Sequence, residues 1–325
     1  MTRFPAPLAT PARLAGLVIA GVCSLAAPAA HASCGSAFCL VNTDFAVQGA
    51  WLDHGWRGDL RYELVQQNRL MRGSSTIKPA DLDDTSEVEQ RTRTQRVTAS
   101  LDYGFNANWG LSLQLPFIDR VHEHLADGEP ENWHFRKLGD ARVTGRWQSA
   151  LLGDTASAGS LGLIAGLKLP TGSSTVRNAD DALAERALQP GTGTTDLIVG
   201  GYWRGLLPQS DMSWFAQAQL EQALNRHDEF KPGHKLGLDL GLRADLGVVA
   251  PMLQLNFQQR ARDAGAAAEP ENSGGRTLAL SPGLSAALAP GLQGYGFVQI
   301  PVVSHVNGVQ LAPRWALSLG LSQRF

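Results

Sequence analysis

Residues 234–247 read HKLGLDLGLRADLG, with Leu236, Leu238, Leu240, Leu242, Ala244 and Leu246 on one parity and Lys235, Asp239, Arg243 and Asp245 on the other. Side chains of an extended strand point alternately to opposite faces, whereas 3.6 residues per turn would spread these leucines around a whole helix. The segment is a strand with one apolar and one charged face. Such a strand must set its apolar face against something, either a second sheet or lipid.

The pattern recurs along the chain. Leu60, Tyr62 and Leu64 oppose Arg61 and Glu63, and Val97, Ala99, Leu101, Tyr103 and Phe105 oppose Arg96, Thr98, Ser100 and Asp102. Trp109 to Phe117 alternate with Ser112 and Gln114; Val143 and Trp147 oppose Asp140, Arg142 and Arg146; Leu161 to Leu169 oppose Lys168. Trp214 to Leu220, Leu253 to Phe257 (opposite Gln254, Asn256 and Arg260) and Leu278 to Leu288 behave in the same way. The chain closes on Trp315, Leu317, Leu319, Leu321 and Phe325, opposite Arg314, Ala316, Ser318, Gly320, Ser322 and Arg324. Residues 195–206 and 293–304 have strand composition but alternate poorly, so their faces stay undefined. The reading gives twelve strands.

Their connections sort into two sets. Links after even-numbered strands are short: Asn106-Ala107-Asn108, residues 152–159, residues 207–212, Ala250-Pro251 and Ala289-Pro290-Gly291. Links after odd-numbered strands are longer and polar, at 72–91, 123–136, 172–194, 226–233 and 263–275, with one tight exception at Asn307-Gly308, a hairpin dipeptide. A soluble sandwich has no reason to sort its connections this way; a barrel assembled in an outer membrane has short turns on one side and long loops on the other. A closed barrel also leaves no unpaired edge in lipid. The expected fold is an all-β, antiparallel transmembrane barrel over residues 57–325, with the apolar parity toward lipid and the last strand pairing with the first.

The amino terminus agrees with that destination. Residues 14–30 carry no charge, Arg3 and Arg13 precede them, and Ala30-His31-Ala32 places small residues where a signal peptidase needs them, so residues 1–32 read as a leader. Its removal takes two arginines and no acid and moves the formal net charge from −2 to −4, which argues against nucleic acid as a partner. Residues 33–56 read as a periplasmic segment carrying Cys34 and Cys39, which fit a short disulfide loop in an oxidising compartment; copper or thiol chemistry is the minority reading. The lumen reading also leaves these residues able to plug a narrow barrel.

Other motifs give way to simpler readings. Leu169-Pro170-Thr171-Gly172 spells a sortase signal but lies mid-chain after a strand, and Gly191-Thr192-Gly193-Thr194-Thr195 lacks the lysine of a phosphate loop. His122-Glu123-His124 puts two imidazoles on one face of a strand end, and two ligands do not make a metal site, so no metal is assigned. No serine-hydrolase elbow or cofactor motif is found, and the chain reads as a non-enzyme without a cofactor.

Gly139-Asp140, Gly166-Leu167-Lys168-Leu169-Pro170-Thr171-Gly172 and Gln189-Pro190-Gly191-Thr192-Gly193-Thr194-Thr195-Asp196 together resemble the outer-membrane barrels labelled as meta-pathway phenol-degradation proteins or transporters. The resemblance covers residues 139–203. It implies a bacterial outer-membrane channel for small solutes, including hydrophobic or aromatic ones. The alternative is a barrel that docks a periplasmic redox or metal-handling partner through its cysteine segment. Lumen-lining candidates are Arg61, Glu63, Arg96, Asp102, Asp140, Arg142, Arg146, Lys168, Asp239, Arg243, Arg260, Arg314 and Arg324. Trp315, Leu317, Leu319, Leu321 and Phe325 form the expected signal for the barrel-assembly machinery.

Overall fold

The computed structural model describes residues 41–44, 47–48, 52–82, 87–150 and 159–325. The expected leader and the pair Cys34 and Cys39 lie outside the described residues. Among the described residues fourteen strands follow in order: β1 (Gly55–Arg72), β2 (Ser75–Thr76), β3 (Glu87–Gly104), β4 (Trp109–Ala126), β5 (Glu129–Leu138), β6 (Ala141–Gln148) and β7 (Gly159–Leu169), then β8 (Asp196–Leu206), β9 (Met212–Ala223), β10 (Lys235–Ala244), β11 (Val249–Arg260), β12 (Gly275–Ala289), β13 (Leu292–Val306) and β14 (Val309–Arg324). Twelve of them close into an antiparallel barrel. β2 and β5 stand outside this ring, paired with the upper parts of β1 and β4. β14 returns to β1, with Arg324 opposite Arg57 and Val309 opposite Arg72, and the Phe325 amide donates to the Trp56 carbonyl at 2.9 Å. Among the described residues no helix is long and apolar enough to cross a membrane, and a barrel crosses with strands.

The faces are inverted relative to a soluble protein. Leu60, Leu101, Leu113, Leu163, Leu240, Leu280, Leu319 and Leu321 are exposed on the outside, while Glu63, Thr98, Ser112, Gln254, Asn256, Ser281 and Ser318 are buried within. One rim carries the short connections and an outward set of rings, Trp56, Phe105, Trp109, Trp203 and Phe325. Such a girdle suits a membrane–water boundary. The other rim carries the long loops.

The structure moves some expected boundaries. Ala250-Pro251 is not a turn but lies inside β11. The turn is at residues 245–248, where Gly247 takes φ 84° and its N–H donates to Asp245 Oδ1 at 3.1 Å. Pairing of β11 with β10 begins only at Met252, so the missing N–H of Pro251 removes no bond on that side. Much of the expected loops at 72–91 and 123–136 is also strand: β3 starts at Glu87, β4 runs to Ala126 and β5 folds back along it. Outside the lipid zone both faces of a strand are polar, and hydrophobic alternation, the signal used to find strands, vanishes there.

Candidate functional site

The lumen is crossed by the amino-terminal segment. The Asn42 backbone N–H donates to Gln254 Oε1 at 3.0 Å, Gln254 Nε2 donates back to the Asn42 carbonyl at 2.8 Å, and Asn42 Nδ2 donates to Gln217 Oε1 at 2.7 Å and Asp239 Oδ2 at 3.1 Å. Thr43 Oγ1 accepts from Arg61, and Asp44 pairs with Arg146 at 2.9 Å. Val47 is completely buried against Ile164, Tyr202 and Phe215, and Val41 packs on Met252, Tyr295 and Phe297. Those contacts explain the two strands whose faces sequence left undefined. Tyr202 on β8 packs with Val47 and Tyr295 and Phe297 on β13 pack with Val41, Ile198 is buried on the same inner parity as Tyr202, and Leu197, Val199, Val298 and Ile300 point out. With apolar residues on both parities, alternation in polarity is lost.

Two cavities flank the segment. Toward the loop rim lies one of about 290 Å³, bordered by Arg61, Arg96, Arg142 and Lys235 and by Asp44, Glu221 and Asp239. Toward the turn rim lies one of about 700 Å³, bordered by Gln48, Arg204, Trp214, Phe215, Met252 and Gln254. Both carry charges of both signs; the second, which Arg243, Asp211 and Asp245 also border, adds aromatic and thioether surface and amides.

Most of the sequence-derived lumen residues are paired with one another. Glu63 Oε2 lies 2.6 Å from Arg96 Nε and 3.4 Å from Arg61 Nε, and Arg146 stands 3.8 Å from Asp102. Arg142 and Lys235 share Glu221, at 2.6 and 3.0 Å. Asp239 accepts from Asn256 as well as Asn42, Arg243 donates to Ser285, and Arg260 grips both oxygens of Asp263 at 2.7 Å. Arg314 is the extra residue of a bulge in β14, where the register passes from Gln66–Trp315 to Gln67–Pro313, and it is exposed; Arg324 is exposed at the turn rim. Trp315, Leu319, Leu321 and Phe325 are exposed on the outer surface and Leu317 is half-buried. Glu221, Lys235, Gln217 and Gln254 were absent from the candidates. The parity of their strands carried the signal for all four.

The three motifs of the family resemblance meet at one place. Asp140 accepts from the backbone N–H of Gly172 at 3.0 Å and from that of Thr192 at 2.9 Å, and Lys168 Nζ lies 3.3 Å from Asp140 Oδ2 and 2.7 Å from Asp196 Oδ2. Gly139, Gly172 and Gly191 approach so closely that a Cβ on Gly172 would stand 2.8 Å from backbone atoms of both others. Thr171 Oγ1 accepts from the Ala141 amide and donates to the Gly139 carbonyl. This junction fixes both ends of the chain stretch 170–195, which folds inward at the loop rim. There Leu188 packs with Leu70, Trp133, Ala184 and Leu311, and its carbonyl accepts from the buried Arg120 at 2.7 Å. Near the same rim Glu89 joins His122 and His124, so that one ligating atom of each lies within 4.8 Å of the others.

No protein-family model and no curated protein matches this sequence. Among solved structures, the chain superposes on an outer membrane channel from Pseudomonas putida F1 with TM-score 0.66 and 14% identity, over 85% of this chain and 97% of that one. A mutant of the TodX monoaromatic hydrocarbon channel (TM-score 0.46, 8% identity, 84% and 91% covered) and the β domain of the Bordetella autotransporter BrkA (0.44, 14%, 84% and 100%) align more loosely. The first likeness shows the fold, a closed antiparallel β-barrel, in keeping with the twelve-stranded ring.

Proposed function

We propose that the protein is a passive channel for small solutes in the bacterial outer membrane, of the meta-pathway phenol-degradation type, gated by the segment that carries residues 41–44 and 47–48. The observation that carries this reading is the pair of cavities on either side of that segment. An aromatic solute with one polar group suits the larger one, where Phe215 and Met252 offer apolar surface beside Gln48, Gln254 and the charged Arg204 and Arg243. The segment that divides the lumen is held by the amide hydrogen bonds of Asn42, by Val41 and Val47 and by one ion pair of Asp44 with Arg146, few enough ties for it to swing aside. The likeness to an outer membrane channel from Pseudomonas putida F1 supports the same reading.

The test is conductance of the folded full chain in planar bilayers, with phenol and benzoate as blockers. Val47→Asp places a charge where Val47 is enclosed by Ile164, Tyr202 and Phe215 and should raise the open fraction several-fold. Silence of both the parent and the variant would sink the channel reading. In the docking alternative, Cys34→Ser with Cys39→Ser would abolish capture of a periplasmic partner and leave conductance untouched. Deletion of Phe325, whose ring projects from the outer surface, should lower the yield of assembled barrel without blocking export.

A further inference from the structure

We propose that Glu89, His122 and His124 form a binding site for one divalent transition-metal ion of the zinc type at the mouth of the barrel. His122 Nε2 lies 3.3 Å from His124 Nδ1 and 3.5 Å from Glu89 Oε2. Ligands placed tetrahedrally at about 2.0–2.1 Å from zinc stand roughly 3.3–3.4 Å apart, so two of the three donor pairs already hold the separation a single ion requires and the third lies within 4.8 Å. All three side chains are buried. Neither carboxylate oxygen of Glu89 has a hydrogen-bond partner of good geometry, and His122 Nε2 stands 3.5 Å from Oε2. A carboxyl sealed from water without a donor is costly to ionise, and a cation between it and the imidazoles would offset the charge.

The remaining ring nitrogens strengthen the assignment. His122 Nδ1 is 2.8 Å from Thr92 Oγ1, and His124 Nε2 is 3.0 Å from Glu131 Oε2. A carboxylate or hydroxyl behind each imidazole fixes its tautomer and orients the other nitrogen, as in protein zinc sites. Both free nitrogens then face the gap shared with Glu89. Trp133 lies against both rings, 5.7 and 4.9 Å between centroids, and restrains them. Glu185 comes within hydrogen-bonding range of Glu89, and Glu269 adds a further negative charge nearby. Glu185 belongs to the inward-folded stretch 170–195 and Glu269 to the loop between β11 and β12. A dication here would draw both loops toward the wall formed by β3 and β4. The two-histidine, one-carboxylate donor set favours zinc, nickel or copper over calcium or magnesium.

The experiment uses the full chain folded in detergent, stripped with chelator, dialysed against zinc and assayed for bound metal, with cobalt as a spectroscopic probe. One zinc per chain is expected, with a visible cobalt band typical of a tetrahedral nitrogen and oxygen site. Glu89→Gln and His124→Gln should each weaken zinc binding more than 100-fold. Glu131→Gln, which removes only the orienting carboxylate, should weaken it about 10–100-fold. His134→Ala and the Cys34→Ser, Cys39→Ser pair should bind like the parent. Folding of every variant is read from heat-modifiable gel migration; if a ligand variant fails to fold, Glu131→Gln decides. Absence of stoichiometric zinc in the parent, or parental affinity in Glu131→Gln, would overturn the proposal, as would loss of the ion in the cysteine pair.

Discussion

The amino-terminal segment and the stretch 170–195 both occupy the interior of the barrel, and they are held there by different chemistry. The stretch 170–195 is fixed at both ends by Lys168 between two aspartates and by glycine backbones in contact, and its tip is tied by Arg120 and packed into an apolar cluster. The amino-terminal segment has amide hydrogen bonds from Asn42, one ion pair from Asp44 and the side chains of Val41 and Val47. Removing one partner of a buried ion pair strands the other and costs about 3–5 kcal/mol, whereas a single neutral hydrogen bond contributes about 0.5–1.5 kcal/mol. The inward-folded stretch, anchored at both ends and at its tip, is part of the wall; the amino-terminal segment, with a single ion pair at Asp44 and otherwise neutral contacts, is the element with fewer ties to break.

The sharpest way to break that contrast is Lys168→Met, which leaves Asp140 and Asp196 facing each other without their cation. A loss of about 3–5 kcal/mol is expected, seen as proteolytic cutting within 170–195 while the barrel core survives. Resistance equal to the parent's would show that the junction does not anchor the stretch. Next comes the lipid face beside the segment's own partner: Leu240→Arg exposes a charge to acyl chains for about 2–4 kcal/mol, and Asp239→Asn, one residue away, keeps an acceptor for Asn42. Urea titration in micelles should separate them widely, and similar midpoints would refute the face assignment.

Val47→Asp should cost the segment its apolar anchorage, about 1.5–3 kcal/mol for a buried aliphatic side chain, with little change in the barrel's own denaturation midpoint. Amide hydrogen exchange in residues 41–48 would report it, and unchanged protection there would mean that other contacts hold the segment. The smallest effect belongs to Asn42→Ala, which removes the donor to Gln217 and Asp239 but keeps both backbone bonds with Gln254. About 1 kcal/mol is expected, visible as a modest rise in channel opening frequency. A rise matching that of Val47→Asp would put the polar contacts level with the apolar one.

Sequence alone determined the barrel. HKLGLDLGLRADLG can only be an amphipathic strand, twelve such strands with sorted connections need closure, and the terminal strand ending at Phe325 pairs with the first as expected. Each of these follows from local periodicity, which the chain writes residue by residue. Tertiary structure decided what the lumen holds. The inward rings of β8 and β13 obscured alternation because they pack on Val41, Val47 and their surroundings, contacts more than a hundred residues away along the chain. The bulge at Arg314, the turn at Gly247 and the polar upper strands carry no hydrophobic period, so periodicity could not place them. Glu89 joined His122 and His124 only because β3 pairs with β4 in a register that sets these distant residues side by side. Strands are local and legible; which side chains meet inside a closed barrel depends on register and on segments folded into it, and only three-dimensional closure fixes those.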